Sequence, residues 1–259
     1  MTKIQAHCSL RQLTSTFEVI LQPQRFKDYC PNGLQVEGKA EVRKLISGVT
    51  ASLAFLEAAI EAQADALVVH HGYFFRGEDE RIVGQKHKRI AALMKANVSL
   101  FAFHLPLDAH QTLGNNVQLG KVLGLPINGS FGDLSRGAAL GVYSDLSVMQ
   151  SMQSIVALVA DKLGRTPLMV GPAQKDIKRI AWCTGGAQDM LQEAIDAGAD
   201  AFISGEISER TTHLAREMGI VYLAAGHHAT ERYGVQALGD KVAQELGISH
   251  RFIDDNNPV

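Results

Sequence analysis

The sequence predicts an α/β fold organised as two similar α/β domains. Three observations predict it. Short apolar runs alternate with segments of helical period, the pattern of a sheet covered by helices. A stretch of the first half, Glu57-Ala-Ala-Ile-Glu-Ala-Gln-Ala-Asp-Ala-Leu-Val, reappears in the second as Gln192-Glu-Ala-Ile-Asp-Ala-Gly-Ala-Asp-Ala-Phe-Ile. Two histidine pairs, His70-His71 and His227-His228, follow apolar strand-like runs, and strand ends are where α/β folds bind ligands.

Leu10, Leu13, Phe17, Ile20 and Leu21 mark an amphipathic first helix with Ser9 as its N-cap. The run Leu45-Ile-Ser-Gly-Val reads as a strand, a helix carries Leu53, Leu56 and Ile60, and Ala66-Leu-Val-Val is the next strand. A helix around Ile90, Leu93 and Met94 leads to the strand Val98-Ser-Leu-Phe-Ala-Phe, and Gly114-Asn-Asn turns the chain into a helix through Val117 and Leu123. The stretch Gly124-Leu-Pro-Ile-Asn-Gly-Ser-Phe-Gly-Asp is rich in turn formers and reads as a linker, placing the domains at 1–125 and 126–259. Beyond it, Gly137-Ala-Ala-Leu-Gly-Val resembles a strand, and Val148, Met152, Ile155, Val156, Val159 and Leu163 form a helical stripe. A last helix carries Val235, Leu238, Val242 and Leu246.

The repeat extends beyond the matched stretch. Upstream, Ile46–Thr50 matches Ile180–Thr184 after a one-residue shift. Downstream, Val98–Phe103 ends in His104-Leu-Pro-Leu-Asp108, and Ile220–Gly226 ends in His227-His-Ala-Thr-Glu231. Both are His-x-x-x-acid after an apolar run. Duplication would give two facing units with a site between them; convergence on a common strand–helix idiom is the alternative.

Hydrophobic residues make up 46% of the chain and charged residues 20%, which is an ordinary globular composition with ample core. A net charge of −2 leaves no basic footprint for nucleic acid, and Lys86-His87-Lys88-Arg89 reads as a solvated helix face. Cys8, Cys30 and Cys183 lie far apart without a C-x-x-C, which argues against a disulfide framework and a thiolate metal site. Cys183 reads as a small buried residue. The sequence shows neither a signal-peptide core nor an apolar run of ~20 residues, so the expected address is the cytoplasm, without a membrane.

Neutral imidazoles and carboxylates without thiolates suit zinc, manganese or iron. Neighbouring side chains on a strand diverge, but the last strand residue and the first of its turn can splay around one cavity, so His70 and His71 can serve two ions. His227 and Glu231 stand four apart at a helix start and can share a face; His228 points elsewhere and is the weaker ligand. Glu231 can bridge two ions at the ~3.5–4 Å separation of dinuclear hydrolytic sites, and Asp108 adds a hard oxygen. These five side chains leave positions open for water, as a catalytic site requires. His104 is either a catalytic group or a donor that holds a ligand carboxylate in place. Glu206, at the strand end equivalent to His71, is a proton shuttle, an outer partner of a ligand, or a surface carboxylate. His7, His110 and His213 read as structural or solvated. The Thr184-Gly-Gly-Ala-Gln-Asp loop could hold a phosphate or be a plain strand–helix turn. Tyr73, Phe74 and Phe75 could wall a base-binding cavity or simply pack.

Asn32-Gly-Leu-Gln-Val, His70-His-Gly-Tyr-Phe-Phe-Arg-Gly-Glu, His104-Leu-Pro-Leu-Asp-Ala-His with Gly114-Asn-Asn, Ser204-Gly-Glu and Ala225-Gly-His-His-Ala-Thr-Glu-Arg together resemble the GTP cyclohydrolase I type 2 homologue family, the NIF-three-like dinuclear metal proteins. The resemblance implies two divalent ions per subunit on His70, His71, Asp108, His227 and Glu231, and a ring-shaped homohexamer. It further implies a hydrolase acting on a small molecule such as a nucleotide, in which metal-activated water attacks a purine C8 and opens the ring. Phe75 stands where such sequences often carry Trp. A ring protein that binds or delivers metal without turnover is the competing expectation, and an interaction scaffold stabilised by its metals is a third.

Overall fold

The computed structural model describes residues 7–259. Ser9 caps the first helix, Leu10–Leu21, as its sequence predicts: its hydroxyl accepts the Gln12 N–H while the Gln12 side chain accepts the Ser9 N–H. That reciprocal box satisfies two otherwise orphaned donors, and Leu10, Leu13, Phe17 and Leu21 are buried along one face.

The chain divides into two units that are not consecutive halves: Met1–Gly114 with Gly234–Asn256, and Asn115–Tyr233 with Asn257–Val259. The boundary therefore lies ahead of the turn-rich stretch 124–133, where the sequence places it. Within that stretch, Gly129–Phe131 forms an edge strand paired with Gly141–Tyr143. Residues 234–256 return to the first unit because Val235, Leu238 and Val242 join its core and Ser249–Phe252 pairs parallel with Lys44–Ser47.

The first unit holds a five-stranded sheet in the order Ser249–Phe252, Lys44–Thr50, Ala66–His71, Ser99–Ala102, Gly33–Val36, with only the last strand antiparallel to its neighbour. The second holds a six-stranded sheet in the order Gly129–Phe131, Gly141–Ser151, Asp176–Trp182, Ala201–Ser204, Val221–Ala224, Leu168–Val170. Its three strands from Asp176 to Ala224 run parallel. Both faces of the central parallel strands are buried, which is why these strands read as continuous apolar runs. In the first unit Val68 and Phe101 face one core, and Leu67 and Leu100 the other. In the second, Ile203 and Leu223 alternate in the same way with Phe202 and Tyr222.

The central parallel strands of the two units share several specific contacts. Leu45 stands opposite Ala66 as Ile180 stands opposite Ala201. Asp65 accepts the N–H groups of Arg43 and Lys44 at 2.9 and 3.1 Å, and Asp200 those of Lys178 and Arg179 at 2.8 and 3.0 Å. Lys44 Nζ caps Ala62 O at 2.7 Å, and Arg179 Nη1 caps Ala197 O at 2.6 Å. Gln63 and Gly198 close the equivalent turns with φ of 60° and 78°.

This register corrects two sequence alignments. Ile180 corresponds to Leu45 and not Ile46, so the one-residue shift upstream disappears. Downstream, Phe103 N–H bonds Val69 O as Ala225 N–H bonds Ser204 O, which makes His104 the counterpart of Gly226, and Asp108 that of Thr230. The two His-x-x-x-acid motifs are thus one residue out of step.

Three further expectations shift. Val148 lies in the strand Gly141–Ser151 and is 72% exposed; the helix starts at Met152, where Ser151 caps it. The strand expected from Gly137 starts at Gly141, after a turn of 3-10 helix over Leu134–Arg136. Met94 points outward beside the buried Ile90 and Leu93.

A polar chain crosses the first unit from Ser47 Oγ to His250 Nε2, and from His250 Nδ1 to Asp240, each at 2.8 Å. It matches the residue order of a nucleophilic triad, but Ser47 is fully buried, so the chain ties the Ser249–Phe252 strand to its neighbours instead. Among the described residues no helix is long and apolar enough to cross a membrane, and the three cysteines form no disulfide.

Candidate metal centre

The imidazoles of the first unit collect at the carboxyl ends of its parallel strands, where the open ends of helices and strands leave room for a ligand. His70 and His71 end the Ala66–His71 strand, and His104 directly follows Phe103 at the end of the next. The strand pairing ends at Thr50–His71, and there the two neighbouring rings converge, with centroids 4.5 Å apart. The His104 ring lies tilted beside them, with centroids 5.0 Å from His70 and 5.8 Å from His71. One ring nitrogen from each of the three lies within 4.8 Å of the others.

Each ring is held through Nδ1. His70 Nδ1 lies 2.9 Å from Phe103 O, His71 Nδ1 3.1 Å from Thr50 Oγ1, and His104 Nδ1 2.8 Å from Asp28 Oδ1. A backbone carbonyl can only accept, so His70 carries its proton on Nδ1 and its Nε2 is a lone pair when the ring is neutral. That Nε2 faces Asp108 Oδ1 at 3.5 Å, with His70 fully buried and Asp108 nearly so. A proton on Nε2 or a bound cation would each satisfy this pairing of imidazole and carboxylate.

The second unit repeats this logic on its own strand end. The helix His227–Leu246 begins at His227, so Glu231 stands one turn above it, with Oε2 3.2 Å from His227 Nε2. Glu206, just past the Ala201–Ser204 strand, takes His227 Nδ1 at 2.6 Å. The imidazole again donates from Nδ1 and turns Nε2 to a buried carboxylate. Burial alone would lower the His227 pKa, but the hydrogen bond and charge of Glu231, followed by those of Glu206, push it up to about 9.

Gly185 forms a cradle beneath this pair. It takes φ of 69°, and a Cβ there would lie 2.0 Å from Glu231 Oε1 and 3.1 Å from His227 Nε2. In the duplicated register Gly185 is the counterpart of Thr50. One unit uses that position for a hydroxyl that orients His71; the other needs it empty.

The structure therefore brings His70, His71 and Asp108 together in the first unit, and His227 and Glu231 in the second. His228 is buried, and its N–H bonds Val259 O at 3.0 Å. The donor chemistry of both clusters fits a divalent ion: imidazole nitrogens, hard oxygens, and a second bond fixing each ring, with His227 giving up a proton as the ion binds. Cys30 lies near Asp28 and His104, but burial and the Asp28, Glu78 and Asp108 carboxylates push its thiol up to about 12, so it is a poor thiolate source. His110 uses Nδ1 to accept the N–H groups of Thr112 and Leu113, a structural task.

The 184–189 loop commits its backbone inward. Thr184 N–H bonds Asn116 Oδ1, Gly185 N–H bonds Thr230 Oγ1, and Ala187 N–H bonds Ser204 Oγ, at 2.9, 3.0 and 3.2 Å. These donors build the strand–helix turn and do not face a phosphate. Asp28 and Thr50 carry no local signal that marks them as site residues, and Gly185, which the sequence offers only as part of a possible phosphate loop, serves instead as the cradle for Glu231.

The Duf34/NIF3 (NGG1p interacting factor 3) family model matches residues 8–258. The chain belongs to this family. A protein of Pseudomonas aeruginosa named GTP cyclohydrolase 1 type 2 homolog is 51% identical over 253 residues, covering 97% of this chain and 99% of the relative. A protein of the same name from Vibrio cholerae is 50% identical over 250 residues, covering 96% and 98%. Of solved structures, protein ybgI, described as of unknown function, superposes with a TM-score of 0.90 at 42% identity, covering 97% of this chain and all of that one. A Thermus thermophilus protein, TTHA1606, gives 0.84 at 31%, again over 97% of this chain and all of that one.

Proposed function

We propose that this chain binds two divalent metal ions through His70, His71 and Asp108 of one unit and His227 and Glu231 of the other, and that it hydrolyses a small molecule of the nucleotide class. The observation that carries the reading is the repeated geometry at His70 and His227. Each ring is held at Nδ1 by an oxygen and turns Nε2 to a buried carboxylate oxygen, at 3.5 and 3.2 Å. When bound, such ions polarise water and stabilise the negative charge that develops during hydrolysis. Glu206 keeps His227 in the tautomer whose Nε2 is a ligand, and Phe103 O does the same for His70. Phe75 stands edge-on to His104 at 5.5 Å and supplies an apolar wall beside the rings.

The name carried by the Pseudomonas and Vibrio relatives, GTP cyclohydrolase 1 type 2 homolog, supports a purine nucleotide as the substrate to test first. The family resemblance also supports a ring of six copies, to be read by native mass spectrometry. The deciding experiment measures metal per protomer by elemental analysis and screens nucleotides on the same preparation. Two ions per protomer are expected, falling on both His71→Ala and Glu231→Ala, with GTP hydrolysed by one water to a formamidopyrimidine, from which a second water would release formate and leave the diaminopyrimidine. Metal content untouched by both substitutions would overturn the metal assignment. Bound ions without turnover of any nucleotide would overturn the hydrolase assignment and leave metal binding or delivery.

A further inference from the structure

His104 differs from its two neighbours in what holds it. Thr50 and Phe103 offer His71 and His70 neutral oxygens; Asp28 offers His104 a carboxylate whose side chain is only 3% exposed. That carboxylate is itself fully engaged. Oδ1 accepts the Tyr29 N–H at 2.6 Å along with His104 Nδ1 at 2.8 Å. Oδ2 accepts Asn32 Nδ2 and the Leu105 N–H, both at 2.8 Å. Asn32 closes the loop by accepting the His104 N–H on its Oδ1 at 2.7 Å. Ring, main chain and carboxylate of this corner are thus locked by five hydrogen bonds, three of which join segments over 70 residues apart in the chain.

This wiring determines which nitrogen of His104 is which. An ionised carboxylate has no proton to give, so Nδ1 must donate, and Nε2 is left as the acceptor of the neutral ring. His104 also stands where the duplicated register puts Gly226 in the second unit, so the repeat itself does not require a side chain there. A buried carboxylate with four donors is a costly feature to maintain for packing alone.

We infer that Asp28 and Asn32 are positioning residues that hold His104 as its Nδ1–H tautomer, so that Nε2 accepts a hydrogen bond from the water or substrate N–H placed beside His70 and His71. This inference rests on the metal reading given above, and it separates His104 from the ligand set. His104 orients the group that reacts, and the five other side chains hold the ions.

Zinc-loaded protein labelled with ring-15N histidine tests it, with His104 assigned by its disappearance in His104→Gln. In the wild-type protein His104 Nδ1 should resonate as a protonated nitrogen and Nε2 as an unprotonated one that is not metal-bound. Asp28→Asn puts an amide where four donors converge, and it should move His104 toward the other tautomer while leaving the zinc content unchanged. A wild-type His104 protonated on Nε2, or a tautomer unmoved by Asp28→Asn, would overturn the inference. If Asp28→Asn fails to fold, the wild-type spectrum still decides, and Asn32→Ala, which keeps the carboxylate, should broaden the same His104 signals. Loss of one zinc in His104→Gln would make His104 a ligand, overturning this role while sparing the metal reading. Zinc retained in both His71→Ala and Glu231→Ala would instead sink the metal reading on which the role depends.

Discussion

Gly185→Ala is the sharpest probe of the second cluster, because the damage can be worked out atom by atom. Gly185 takes φ of 69°, a conformation that costs an L-residue about 1–2 kcal/mol. The new methyl would lie 2.0 Å from Glu231 Oε1 and 2.9 Å from its Cδ, so the carboxylate must leave. Glu231 is 3% exposed, and displacing a buried charge from its hydrogen-bonded place costs about 1.5–3 kcal/mol. The expected loss is therefore about 2.5–5 kcal/mol. Gly164→Ala supplies the control: its φ is also 69°, but a Cβ there meets nothing within 4 Å, so it should lose only the backbone share, about 1–2 kcal/mol. Urea denaturation of the metal-free proteins measures the difference, and elemental analysis reads the ions. Gly185→Ala should lose metal held by His227 and Glu231; Gly164→Ala should keep it. Equal destabilisation of the two variants with unchanged metal would refute the claim that Gly185 exists to make room for Glu231.

Two further outcomes follow from the same residues. Glu206→Gln keeps the shape but weakens the hydrogen bond that holds His227 Nδ1, and metal affinity should fall about 10–100-fold, measured by competition with a chromogenic chelator. In the metal-free protein the His227 pKa is raised from 6.5 to about 9, so its contribution to stability is fully present below pH 6.5 and is lost as pH rises through about 9. His227→Gln should flatten that decline. By the same equilibrium metal must displace a proton from His227 at pH 7, so calorimetry in buffers of different ionisation enthalpy should detect proton release that His227→Gln reduces.

Much of this architecture was legible in the chain because the information is local. The stripe Leu10, Leu13, Phe17 and Leu21 with Ser9 ahead of it specifies a capped helix within a dozen residues. The apolar run before His70 specifies a doubly buried strand, and a helix starting after Gly226 puts His227 and Glu231 on one face. Two sequence expectations failed where local signals compete. Val148 fits a helical stripe by spacing, yet Ser151 caps the helix three residues later, and Gln150 and Ser151 pair with Ile177 and Asp176. The turn-rich stretch 124–133 looks like a linker, yet Phe131 is buried in the second unit's core.

What the sequence by itself determined is the central strands and longer helices and the candidate donors, since periodicity, capping and residue chemistry act over a few neighbours; the edge strands Gly33–Val36, Leu168–Val170 and Ser249–Phe252 leave no such local signal. The tertiary structure alone decided the register and the pairings. A helix turns about 100° per residue, so the one-residue offset between His104-x-x-x-Asp108 and His227-x-x-x-Glu231 sends equivalent-looking side chains in different directions. Asp28 meets His104, Thr50 meets His71 and Glu206 meets His227 across 21 to 76 residues of chain. No local pattern records such distances. They exist only once the parallel strands have paired and brought their carboxyl ends side by side.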